Sequence, residues 1–175
     1  LAWASTYYVP AILSEPIARD IGASQSAVFA VFSASLLLSA LLGPMVGRHI
    51  DRVGGRGMLA CSNIVIAAGL VLLGLTQGLG MLVLAWAVLG VGMSMGLYDP
   101  AFAALARLYG SEARGPITGV TLIAGFASTI GWPLSAYLAA TIGWQGACFV
   151  WAALHVVLGL PLNRLVLPPP PPHPP

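Results

Sequence analysis

Apolar residues run through this chain in long blocks, separated by short polar breaks. Six blocks read as helices: Leu1–Ala18, Ser26–Gly47, Gly57–Leu75, Met81–Ala106, Pro116–Ala140 and Gly146–Leu165. Each approaches or exceeds the about 20 residues that a helix needs to cross a bilayer. A helix of a soluble bundle would carry a polar stripe along one face. These six carry almost none, so lipid is the expected solvent around them. The pattern predicts an all-α integral membrane protein, a six-transmembrane-helix bundle over residues 1–167. The last residues, "VLPPPPPHPP" from Val166, cannot continue a helix and favour extended polyproline geometry. Residues 168–175 therefore read as a Pro-rich tail, either the start of a central linker or the end of a truncated reading frame. The first residue is Leu, so segment 1 is expected to lack its beginning; no cleavable signal peptide is recognised.

Composition strengthens this picture. Charged residues make up 7% of the chain and apolar ones 58%, with a mean hydropathy of +0.91. An ordinary soluble domain has roughly a quarter of its residues charged. All seven basic residues are Arg, and their placement is uneven. Arg48, Arg52 and Arg56 lie between segments 2 and 3, Arg107 and Arg114 around the link of segments 4 and 5, and Arg164 at the end of segment 6. Only Arg19, beside Asp20, falls on the other side, and the links Thr76–Gly80 and Thr141–Gly146 carry no charge. The positive-inside rule makes the arginine side cytoplasmic. The expectation is a multi-pass protein of the plasma (inner) membrane with both ends in the cytoplasm. Cys61 and Cys148 are expected as buried small side chains. Nothing in their spacing suggests a metal or a disulfide, and no cofactor or nucleic-acid partner is expected.

The six segments contain an internal repeat. "YVPAI" from Tyr8 matches "YDPAF" from Tyr98, and "ARDIG" from Ala18 matches "ARLYG" from Ala106. "PMVGRHIDRVGGRG" from Pro44 aligns with "PLSAYLAATIGWQG" from Pro133, placing Gly54 over Gly143 and Gly57 over Gly146. The offsets are 90, 88 and 89 residues. The repeat units are about 1–75 and 81–165. Three helices per unit send the second unit into the membrane in the opposite sense, an inverted three-plus-three repeat of the kind that builds many secondary transporters.

One stretch, "GRHIDRVGGRGM" from Gly47, concentrates charge and glycine in an otherwise oily chain. Gly54 and Gly55 permit a tight turn. Gly43 and Gly47, four residues apart, predict close approach of segment 2 to a neighbouring helix. Asp51 sits among arginines at the membrane edge, where an ion pair can form and break. Gly47-x-x-x-Asp51-Arg52-x-Gly54-x-Arg56 resembles the loop between helices 2 and 3 of the major facilitator superfamily of transporters. This copy has His49 where an apolar residue is usual and Gly55 where a base is common. The resemblance covers the chain as an amino-terminal half of a twelve-helix fold. It implies a loop that contacts the other six-helix half and holds the cytoplasmic side closed.

By the same resemblance the function is secondary active transport of a small solute by alternating access, not enzymatic catalysis. The implied partners are the lipid bilayer, the solute, a coupling proton or ion, and a carboxy-terminal six-helix half. Segments 1 and 4 would line the cavity. Ser5, Tyr8 and Glu15 fall on one stripe at helical spacing; Tyr98 and Asp99 precede Pro100. Intramembrane carboxylates are functional candidates by default. Asp99 lies about 27 Å along segment 4 at about 1.5 Å per residue. That depth predicts a charge cluster with Arg114 or the loop arginines, against the alternative of a coupling carboxylate.

Two other readings compete. Gly92-x-Ser94-x-Gly96, with His155 two segments on, suggests a six-helix intramembrane serine protease resembling the rhomboid family. Met95 follows the Ser where that family wants Gly, and an elbow motif requires a strand–turn–helix context. On that reading's failure, Gly92 and Gly96 are helix-packing positions and His155 a hydrogen-bonded helix residue. The other alternative is a half-length, non-transporting remnant of a transporter.

Overall fold

A computed structural model describes residues 1–168, so the tail reading beyond Pro168 lies outside the described residues. Every regular element among them is helical. A π-helical turn, Trp3–Tyr7, leads into α1 (Val9–Ile21); α2 spans Gln25–Val53 and α3 Gly55–Gly74. The chain continues through α4 (Leu79–Gly96), α5 (Tyr98–Tyr109), a short 3-10 turn, α6 (Arg114–Gly125) and α7 (Ala127–Leu154). A second π-helical segment, His155–Gly159, joins α7 to α8 (Leu160–Leu165). Four continuous stretches are long and apolar enough to cross a membrane: Gln25–Val53, Gly55–Gly74, Leu79–Glu112 and Arg114–Leu165. Helix α1, with 13 residues, falls short of that length.

Local chemistry explains the breaks. Pro100 has no N–H for the carbonyl of Gly96 and its ring would clash there, so α4 cannot run into α5 without interruption. The chain takes an extended step at Leu97 (φ −85°, ψ −158°) and restarts at Tyr98, which puts Pro100 in a first turn where no N–H is needed. The expected single helix Met81–Ala106 is therefore two. The 52-residue stretch Arg114–Leu165 bends back on itself at Gly143, whose backbone is non-helical (φ 79°, ψ 165°). The Trp151 indole N–H reaches Ser135 Oγ at 3.0 Å across that bend. Residues that far apart on a straight helix would be separated by about 24 Å.

Packing relies on missing side chains. A methyl at Gly92 would lie 2.6 Å from Ile66 Cγ1, and one at Gly96 2.5 Å from Ser62 Oγ. One at Gly90 would lie 2.7 Å from the carbonyl of Ser35. Helix α4 thus lies almost backbone to backbone against α2 and α3, where dispersion contacts and small residues drive association in an apolar solvent. Trp86, Leu13, Ile17, Ile66, Leu70 and Leu89 fill the main core between them. Gly43 and Gly47 do not take part: a side chain on either would meet nothing within 4 Å. The close approach expected of that face is absent because α2 turns it to an open groove. Cys148 is buried as expected, but Cys61 is exposed. It points away from the inner face of α3 that carries Ser62, Asn63 and Ile66.

Candidate functional site

The π turn, α5, α6 and α7 line a half-open cavity of about 480 Å³, its walls almost wholly apolar and aromatic. Trp3 is part of its wall. Its ring lies 4.9 Å from that of Tyr98 and 6.1 Å from that of Tyr8, centroid to centroid. Tyr98 stacks on Phe102 at 5.2 Å, and Tyr8 meets Trp132 edge-on at 6.0 Å beside a second, shallower cavity. Such offset and edge-to-face pairs are the geometries that aromatic quadrupoles favour. The indole N–H of Trp3 is buried and has no acceptor. An unpaired buried donor is costly.

Ser5 and Glu15 lie in different surroundings, the first buried and the second exposed. Glu15 is exposed and pairs with Arg19 at 2.7 Å, the one ion pair among the described residues. Ser5 is fully buried against His155. The wider turn at Trp3–Tyr7, closed by Tyr8 N–H to the Trp3 carbonyl, rotates everything before Tyr8 relative to α1. Regular 3.6-residue spacing could not anticipate that shift.

The arginine-rich end is organised by backbone carbonyls. Gly54 (φ 95°, ψ 161°) makes the turn between α2 and α3. Gly55 sits so close to α5 that a side chain would collide with Ala104. Arg107 of α5 donates to the carbonyl of Asp51 and, at 3.4 Å, to that of Arg52. Arg56 donates from Nε to the carbonyl of Arg164 at 3.0 Å, and from its second nitrogen to the same oxygen. Both arginines therefore cap the C-terminal ends of neighbouring helices, where orphan carbonyls and the helix dipole attract a cation. The side chains of Asp51 and Arg52 stay exposed. Arg114 opens α6, also exposed.

Asp99 lies in the first turn of α5, a placement the dipole favours for an acid. It is exposed and lines a groove of about 520 Å³ with Gly43, Pro44 and Gly47 of α2. The structure does not bring it to an arginine within ion-pair distance among the described residues. At the opposite end, Asp20 accepts hydrogen bonds from the Trp144 indole at 2.6 Å and from Gln145 at 3.3 Å. These fasten the end of α1 to the second arm of α7.

Sequence reasoning did not find the buried chain Ser5–His155–Asn63. His155 Nε2 lies 2.7 Å from Ser5 Oγ, and its Nδ1 lies 2.8 Å from Asn63 Oδ1. The signal available was three polar residues in three otherwise apolar segments, which alone says nothing of contact. Ser94 is elsewhere: its hydroxyl donates to the carbonyl of Val91 at 2.7 Å. The serine–histidine pairing that a rhomboid-like protease needs is therefore not formed.

The family described as Major Facilitator Superfamily matches residues 1–175. No curated protein matches the chain.

Proposed function

Since the chain belongs to the major facilitator superfamily, a family of membrane transporters, we propose that it moves a small solute by alternating access, with Trp3, Tyr8 and Tyr98 contacting that solute. The observation that carries this reading is the position of Trp3, ringed by Tyr8 and Tyr98 and holding an unpaired buried N–H beside an aromatic cavity. Cavities that are mostly apolar with a few aimed polar groups are the usual form of small-molecule sites. The experiment is uptake by the full-length protein in proteoliposomes against a panel of radiolabelled neutral and charged solutes. Trp3→Phe should weaken uptake of a solute that uses the indole donor, and an unchanged KM and rate would remove Trp3 from the site.

The reading includes six membrane segments in two inverted units. Its support is backbone conformation. The positive-φ residues among those described are Gly22, Gly54, Gly110 and Gly143. They form the two pairs that the repeat alignment sets in register, Gly22 with Gly110 and Gly54 with Gly143. Segment 1 is then the π turn plus α1, segment 4 is α4 plus α5, and segments 5 and 6 are the two arms meeting at Gly143. The arginine end is assigned to the cytoplasm of a cell whose plasma (inner) membrane holds the protein, with both chain ends on that side.

The reading also gives the chain a second six-helix half as partner. Helix α6 has no buried residue, and α2 exposes Leu37, Leu41 and Met45 beside the Gly43–Gly47 groove. These are apolar faces that this unit leaves uncovered. Asp51 and Asp99, both exposed near that groove, are assigned to the inner gate with Gly47, Arg52, Gly54, Arg56 and Arg114.

A further inference from the structure

Among the described residues no Asp, Glu or Arg is buried, and apart from Cys148 the one buried ionisable side chain is His155. Its hydrogen bonds fix its state. Asn63 Nδ2 donates to the carbonyl of Leu59 at 2.8 Å, which turns Asn63 Oδ1 toward the imidazole as a pure acceptor. His155 Nδ1 must then carry a proton, and Nε2 accepts from Ser5 Oγ. The site is built for this amide: a side chain at Gly159 would strike Asn63 Oδ1. Two π-helical segments meet here, one carrying Ser5 and the other His155. Such widened turns recur at functional sites.

The same geometry satisfies a second state. Ser5 Oγ also lies 3.2 Å from the carbonyl of Ala2. If a proton arrives on Nε2, the new N–H donates to Ser5 Oγ, and the Ser5 hydroxyl rotates to donate to Ala2. The Nδ1–H to Asn63 bond is unchanged. One proton is gained, no bond between heavy atoms changes, and no polar group is left without a partner. We propose that Ser5, His155 and Asn63 form a proton-binding site, His155 being the carrier and the other two positioning residues. Resting on the transport reading, this proton is the coupling ion, received from the cavity lined by Trp3, Ala4, Trp151 and Leu154, the immediate chain neighbours of the network and their next turn.

The groups around the ring are few. From the first segment Tyr7 and Tyr8 are the titratable side chains nearest the network. Helix α3 presents Ser62 and Asn63 on its inner face, with Cys61 turned outward. Helix α7 contributes Cys148, two turns before the ring, and α8 the exposed Arg164. Among the described residues no carboxylate faces His155, so the hydrogen-bond chain itself must hold the charge.

The test is a titration of the full-length protein in lipid nanodiscs with 15N-labelled histidine, over about pH 4.5 to 8.5, which brackets the range in which imidazoles switch. Subtracting the spectrum of His155→Gln isolates one ring. The expected result is a neutral Nδ1–H ring at the alkaline end that becomes doubly protonated at the acid end. Indicator-dye measurements should then count one more proton bound per wild-type molecule than per variant. Ser5→Ala, which keeps the imidazole but removes the acceptor, should abolish the doubly protonated signal over that range. A difference signal that stays neutral throughout overturns the proposal, as does a Ser5→Ala protein titrating like wild type. Neither measurement requires a transported solute, so failure of the transport reading and failure of this site are separately visible.

Discussion

Gly54 and Gly143 hold nearly the same backbone conformation, φ 95° with ψ 161° and φ 79° with ψ 165°. That corner of conformational space is open essentially only to glycine. Each residue sits where one long apolar helix ends and the next begins. In one turn arginines surround the glycine, while the other has Trp144 and Gln145 after it. The glycine frame and the charges are therefore separable features: the first makes the turn, the second sets its environment.

The first prediction follows. Gly54→Ala and Gly143→Ala should each destabilise the protein by about 1–3 kcal/mol, the usual cost of forcing a side chain into this region. Gly57→Ala, at a helical position with open space around it, should be neutral or stabilising. Thermal unfolding in detergent measures all three. Equal melting temperatures for Gly54→Ala and Gly57→Ala would remove the strain argument.

How much of this could be read from the chain depends on the range of the interaction. The all-helical character, the glycine turn at Gly54 and the clustering of arginines follow from local pattern and are present in the fold, whereas the division into six segments is not reproduced. Pro100 was visible in the sequence, yet its effect, a break at Leu97, needs the rule that a proline acts on the turn before it. The π turns cannot be read from 3.6-residue spacing, and the first of them shifts Ser5 relative to the face of α1 that the spacing predicts for it. Arg107 and Arg56 were legible as charges, but their targets are carbonyls distant in sequence. Such carbonyls carry no letter in the sequence. The same holds for His155, whose partners come from two other segments. Gly43 and Gly47 match a packing motif and face an open groove, because the motif does not say which neighbour is present.

The second prediction concerns orientation. A single cysteine replacing Arg52 should resist a membrane-impermeant thiol reagent in intact cells, and one replacing Gln145 should react. Cys61 is exposed on α3, so both variants require a Cys61→Ser background. Labelling at position 52 without labelling at 145 would reverse the topology and the inverted repeat with it.

The third prediction separates the arginine clasp from the nearby carboxylate. Arg107→Lys keeps the charge but loses the planar fork that reaches two carbonyls at once. It should lower stability by up to about 1.5–3 kcal/mol, the range for a hydrogen bond to a charged group. Asp51→Asn should leave stability almost unchanged, because the clasp uses the Asp51 carbonyl rather than its side chain. If Asp51→Asn nonetheless impairs transport with normal membrane expression, its carboxylate acts in the gate. Transport unchanged by Asp51→Asn would leave the loop a topology anchor.

The fourth prediction concerns Asp99. Its position in the first turn of α5 gives it a favourable interaction with the helix dipole, about 0.3–1 kcal/mol at an exposed site. That accounts for an acid just ahead of Pro100 without any partner. It does not account for the placement of that acid in the groove shared with Gly43, Pro44 and Gly47, one turn of α2 before Asp51. An acid there is within reach of a rearranged arginine end, so the gate reading expects an ion pair in a conformation other than this one. Asp99→Asn should then slow transport while leaving its pH dependence intact. A double replacement, Asp99→Arg with Arg114→Asp, should restore part of the rate if Arg114 is the partner. The coupling-carboxylate reading expects the opposite: Asp99→Asn abolishes pH dependence and retains exchange. That outcome would sink the ion-pair assignment. It would also shift proton coupling from the buried imidazole to the groove, even if the His155 titration still showed a bound proton. Uptake and counterflow measured across a pH series, on the same preparations used for the His155 titration, decide between the two sites.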